Sequence, residues 1–78
     1  MNRIGVAAAL KRWREVRGLS QRALADKSGV GYASIARIET GRQNPTLGML
    51  ARLAKALNAT VADLIGEGKP ARKRARRR

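Results

Sequence analysis

The side chains in this chain that can do chemistry are hydrogen-bond donors, and one short segment gathers several kinds of them. Between Val30 and Pro45 the sequence reads VGYASIARIETGRQNP. At about 100° per residue a helix through it sets Ala33, Ala36, Arg37 and Thr40 opposite Ile35 and Ile38, with Tyr32 and Ser34 on the flanks. Arg37 carries the strongest chemistry of this set. Its planar fork of donors can pair with O6 and N7 of a guanine, contact a phosphate oxygen, or remain a solvated charge. Ala33 offers only a methyl to pack against a thymine methyl. Tyr32 can donate from its hydroxyl to a base or phosphate, stack on a sugar, or shield the edge of a core. Further donors stand on both sides of this helix. Gln21 and Arg22 open an earlier helix, where free amides and the positive dipole end favour an anion, and Arg42, Gln43 and Asn44 form a polar loop after Thr40. For Arg22 and Arg42 a solvated face is the alternative to phosphate binding.

Catalytic chemistry is not what these residue types offer. The chain has no cysteine and no histidine, which removes disulfides, thiol nucleophiles, the usual general base and the common zinc sites. Its acids, Glu15, Asp26, Glu39, Asp63 and Glu67, are dispersed along the chain and assemble neither a carboxylate pair nor a metal set. No enzyme activity, metal or cofactor is therefore expected.

The formal net charge is +13, from 18 Lys and Arg against 5 Asp and Glu. A field of that sign and size attracts polyanions, of which nucleic acid is the commonest in a cell. The segment Lys69 to Arg78 holds 7 of the basic residues and no acid. It has no apolar periodicity to bury and its like charges repel, so it is expected to be a disordered basic arm. Flanking DNA, a partner protein or solvent are the environments open to it.

The 78 residues allow one small domain, expected over 1–68 with the tail over 69–78. The apolar run from Ile4 to Leu10 is closed by Lys11 and Arg12, far short of a spanning length, so neither a signal peptide nor a membrane helix is expected. The absence of cysteine suits a cytoplasmic location. No strand is expected, because period-two alternation is absent, and an all-α fold of five helices follows. The first runs over about Gly5 to Arg17, with Val6, Leu10, Trp13 and Val16 at helical spacing and Gly18 as its stop. Trp13 is read as core.

Ser20 caps the second helix, about Gln21 to Lys27, with Leu19 and Leu24 at the spacing of a hydrophobic staple. Gly29 then reverses the chain. The third helix, about residues 31–40, repeats the staple spacing with Val30 and Ile35 around Gly31, which replaces a side-chain cap, and Gly41 ends it. Thr46 caps a fourth helix whose Leu47, Leu50, Leu53, Ala54 and Leu57 share one face as a core wall. Asn58 suits its left-handed end. Thr60 and Asp63 have capping-box spacing for a short fifth helix through Ile65, and Gly66 to Gly68 close the fold.

Two short helices joined by a glycine turn, the second one exposed, form a helix-turn-helix arrangement. The pieces LSQRALA (19–25), SGV (28–30), SIARIETGR (34–42), Pro45 and LAKAL (53–57) resemble the lambda-repressor-like helix-turn-helix family of phage repressors, Cro proteins and bacterial regulators. The likeness covers about residues 5–66; the basic tail lies outside it, and Trp13, Gly31 and Tyr32 depart from the family's commonest residues.

The resemblance implies a sequence-specific regulator of transcription, expected to be a repressor, that binds double-stranded DNA as a homodimer, near the nucleoid, with the third helix in the major groove. Tyr32, Ala33, Ser34 and Arg37 are then expected to face bases, and Gln21, Arg22, Thr40, Arg42, Gln43 and Asn44 to hold phosphates, Gln21 as the anchor. It further implies that Glu39 pairs with Arg14, tying the first helix to the third. Met49, Val61 and Ile65 are expected to remain partly exposed as the dimer surface. Two other functions stay open: an antitoxin-type module whose main partner is a toxin or another regulator, and a sequence-independent nucleic-acid binder.

Overall fold

A computed structural model describes residues 3–65; the basic tail and the closing glycines expected at 66–68 lie outside the described residues. Five helices follow one another: α1 (Arg3–Val16), α2 (Gln21–Ser28), α3 (Tyr32–Glu39), α4 (Leu47–Leu57) and α5 (Val61–Leu64). No strand occurs among the described residues. Helix α1 packs on α3 and α5, α2 packs on α3 and α4, and α4 on α5. Every helix thus buries its apolar stripe against at least two others.

Leu10, Leu24, Ile35, Ile38, Leu53, Leu57 and Leu64 are almost wholly enclosed, and Val30, Leu50 and Ala54 complete the core. Trp13, Leu19, Ala25, Met49 and Val61 pack around it, half-buried. No polar or charged residue is fully buried among the described residues.

The helix ends are set by local chemistry. Ser20 Oγ accepts from the Ala23 amide at 2.9 Å and Thr46 Oγ1 from the Met49 amide at 3.0 Å, each satisfying a first-turn donor that the helix cannot. Thr60 and Asp63 form the reciprocal capping box. Glycines at positive φ end α1 and α3, and Asn58, at φ 58°, ends α4. After α3 the Arg42 amide donates to the Arg37 carbonyl at 2.8 Å and the Gly41 amide to Ile38 at 3.1 Å, the six-to-one and five-to-two pair of a Schellman turn. The turn between α2 and α3 is Gly29-Val30-Gly31, in which Ser28 Oγ accepts from the Val30 amide at 3.1 Å. Helix α3 starts without a side-chain cap, as its Gly31 dictates. Ser20→Ala is expected to cost about 1 kcal/mol of folding free energy, read as a lower urea midpoint at unchanged slope.

Two apolar residues expected on core faces stand in solvent. Val16 is 66% exposed and Leu47 is 72% exposed. Val16 stands about 120° around α1 from Leu10, on the wrong side of the stripe. Arg17 occupies the aligned direction instead. It lays its guanidinium over the Trp13 ring at 5.0 Å, and its Nε donates to the Leu57 carbonyl at 2.7 Å and its Nη2 to the Asn58 carbonyl at 3.3 Å. An arginine there satisfies the carbonyl end of α4, where a cation also meets the negative dipole. Leu47 is the first residue of α4, at the edge of the stripe, and the core wall begins only at Leu50.

Candidate nucleic-acid interface

Ile35 and Ile38 are sealed in the core, which forces the other side of α3 outward. Tyr32, Ala33, Arg37 and Thr40 are exposed on that side, and Ser34 and Ala36 are half-buried. The Schellman turn then carries Arg42 and Asn44 to the surface, with Gln43 half-buried. At the other end, Gln21 and Arg22 open α2, and their amides have no acceptor within the helix.

Side-chain contacts tie these groups into one surface. The Arg22 guanidinium lies 4.9 Å from the centre of the Tyr32 ring, so the start of α2 and the start of α3 touch through a cation–π contact. Tyr32 is 46% exposed, and this stack places it beside an arginine at the surface instead of at the core edge. At the opposite end of α3, Arg37 Nε donates to Gln43 Oε1 at 2.9 Å. Neither contact follows from the residue pattern, and the family resemblance gives each of the four side chains its DNA role individually. Their nearest signal in the sequence is the pairing of an arginine with an aromatic ring and with an amide. That pattern alone is too common to single them out.

Thr40 is placed differently from a simple phosphate donor. Its hydroxyl bonds back to the Ala36 and Arg37 carbonyls, at 3.2 and 3.1 Å, and its amide donates to Ala36. To serve a phosphate, the hydroxyl has to give up these bonds.

Beneath the surface lies the ion pair. Arg14 Nε donates to Glu39 Oε2 at 2.7 Å and Arg14 Nη2 to Glu39 Oε1 at 3.0 Å, a two-pronged pairing between α1 and α3. Arg14 Nη1 reaches the Leu19 carbonyl at 2.9 Å. The hydrogen bond to Glu39 raises the Arg14 pKa above its ordinary value, against burial, which pulls it down. Gln21 Nε2 donates to Glu39 Oε1 at 3.0 Å. An amide nitrogen carries two hydrogens, so this bond orients Gln21 and leaves it a second donor. The acid on α3 is thus consumed inward and presents no repulsion to a phosphate. Among the described residues no group of three or more acidic, histidine or cysteine side chains could hold a metal ion, and no helix is long and apolar enough to cross a membrane.

The helix-turn-helix family model matches residues 10–64. The chain belongs to the helix-turn-helix family. That family is one of DNA-binding transcription regulators. This helix-turn-helix protein is 38% identical over 60 residues to the control protein C.SmaI of Serratia marcescens, covering 77% of its own length and 71% of that protein's. It is 34% identical over 55 residues to an uncharacterized HTH-type transcriptional regulator of Archaeoglobus fulgidus, covering 70% and 79%.

Among solved structures it resembles the restriction-modification controller protein C.AhdI of Aeromonas hydrophila, with a TM-score of 0.76 and 31% identity over 80% of this chain and 94% of that one. It also resembles an HTH_3 family transcriptional regulator of Vibrio cholerae, with a TM-score of 0.78 and 33% identity, covering 85% of this chain but 37% of that longer one. The fold and the family expected from the helix-turn-helix motif are therefore those observed.

Proposed function

We propose that this protein is a sequence-specific regulator of transcription that inserts α3 into the major groove of double-stranded DNA as a homodimer. One observation carries the reading: the helix whose Ile35 and Ile38 are sealed in the core turns Tyr32, Ala33 and Arg37 to solvent, between two sets of polar donors. Tyr32, Ala33, Ser34 and Arg37 face base edges. Gln21 and Arg22 at the start of α2, with Thr40, Arg42 and Asn44 after α3, hold the phosphates on either side. The finer assignment is a repressor, which acts by occupying a promoter, in the cytoplasm at the nucleoid. Ile65, 46% exposed, and half-buried Met49 and Val61 supply the dimer surface.

The net charge of +13 favours a second reading, binding to nucleic acid of any sequence. Competition separates the two. A duplex selected by the full-length protein from a random pool is expected to bind at least about 1,000-fold more tightly than random-sequence DNA at physiological salt. Sedimentation is expected to give two protein copies per selected site, with footprints centred about 34 Å apart. Equal affinity for both DNAs establishes the second reading, and one copy at saturation removes the dimer.

A further inference from the structure

Gln43 lies six residues after Arg37, beyond the end of α3, yet the two side chains meet. The Schellman turn is the reason. Arg42 donates its amide to the Arg37 carbonyl, which folds the chain back over the helical turn that carries Arg37. Gly41, at φ 80°, makes this reversal without the strain another residue would meet. Residue 43 is thereby delivered beside the guanidinium, and Gln43 Oε1 accepts from Arg37 Nε at 2.9 Å. Gln43 is half-buried and Arg37 exposed, so the amide is the better-anchored partner.

The polarity of the contact is fixed, because an arginine has only donors and the facing atom must be the amide oxygen. With Nε occupied, the side of the fork that remains for bidentate pairing is the Nη1–Nη2 end. That end projects along the axis of the side chain and can meet O6 and N7 of a guanine.

From this geometry we propose that Gln43 is a positioning residue for DNA sequence readout: it holds the Arg37 guanidinium so that its Nη1–Nη2 end addresses one guanine. The proposal rests on the reading of α3 as the recognition helix and gives Gln43 a role other than a plain phosphate contact. An unsupported arginine on an exposed face samples many rotamers, and ordering one on binding costs affinity. A neighbour that orders it beforehand lowers that cost only for the DNA that Arg37 reads.

The test uses the full-length protein, the duplex it selects from a random pool, and a set of duplexes altered at one base pair each. Arg37→Ala first identifies the base pair whose replacement no longer matters. Gln43→Ala is then expected to lower affinity for the selected duplex about 3- to 10-fold, the cost of ordering one freed arginine side chain, with the loss concentrated at that same base pair. In the Arg37→Ala background, Gln43→Ala is expected to change affinity less than about twofold, because the two act as one unit. Gln43→Glu keeps an acceptor for Nε and is expected to keep the base preference, at lower overall affinity from its charge. Thermal midpoints are expected to stay within a degree or two throughout, both side chains lying outside the core.

A Gln43→Ala loss that is equal on all duplexes and persists in the Arg37→Ala background overturns the proposal and makes Gln43 a phosphate contact, while leaving α3 as the reader. If Arg37→Ala relaxes preference at no base pair, both the positioning role and the base-reading role of Arg37 fall.

Discussion

Arg14→Ala is expected to lower the folding free energy by about 3–5 kcal/mol, because it breaks an ion pair whose two side chains are largely shielded from water. The size follows from what is left behind. The Glu39 side chain is only 4% exposed and the Arg14 side chain 13%. Removing Arg14 strands a desolvated carboxylate with Gln21 as its remaining hydrogen-bond partner among those observed, and takes from the Leu19 carbonyl its donor as well. Removing Glu39 is less severe. The remaining arginine keeps the Leu19 carbonyl and has a long stem by which to reach water, so Glu39→Ala should cost less than Arg14→Ala.

Urea unfolding at neutral pH measures both. A domain of this size has only a few kcal/mol in hand, so Arg14→Ala is expected to be largely unfolded at 37 °C. Replacing both partners together, Arg14→Met with Glu39→Leu, is expected to recover most of the loss, because no unpaired charge then remains buried. A cost below about 1 kcal/mol for either single change would mean that solvent screens the pair and that it does not hold α1 to α3.

Much of this architecture can be read from the chain, for reasons that differ between parts. The caps at Ser20, Thr46 and Thr60 and the left-handed Asn58 are local devices, decided by residues within four positions of one another, and they stand where their residue types place them. The inward faces of α2 and α3 follow from spacing for the same reason. Spacing does not say how far along a helix a neighbour extends. Leu47 shares the stripe of α4 but lies at its first residue, ahead of the buried stretch, and so stands in solvent. Val16 falls outside the stripe of α1, and the charged residue beside it takes the structural role by reaching the carbonyls that end α4.

The candidate interface was legible only as a set of donors. That Arg22 stacks on Tyr32, Gln21 leans on Glu39 and Arg37 leans on Gln43 depends on rotamers and on the direction in which the turns return the chain. No one-dimensional pattern holds that information. It matters because a donor already paired within the protein meets DNA in a defined orientation, whereas an unpaired one has first to be ordered.

Arg37 is where that distinction becomes measurable. Arg37→Ala is expected to reduce affinity for the selected duplex by roughly 5- to 150-fold, the equivalent of about 1–3 kcal/mol of discrimination, while affinity for random-sequence DNA stays nearly unchanged. A base contact and a phosphate contact predict different salt behaviour as well. Loss of one phosphate neutralisation flattens the plot of log affinity against log salt by about 0.9 for every sequence, specific or random. Loss of a guanine contact lowers the line for the selected duplex with little change in slope. Arg37→Lys separates charge from shape: it keeps the positive charge but has no planar fork, so it is expected to retain most random-sequence affinity and lose most of the preference. If Arg37→Ala weakens both DNAs equally and flattens both slopes, Arg37 belongs to the phosphate clamp. Sequence choice would then have to come from Tyr32, Ala33 and Ser34, side chains with few donors, and from the deformability of the DNA itself.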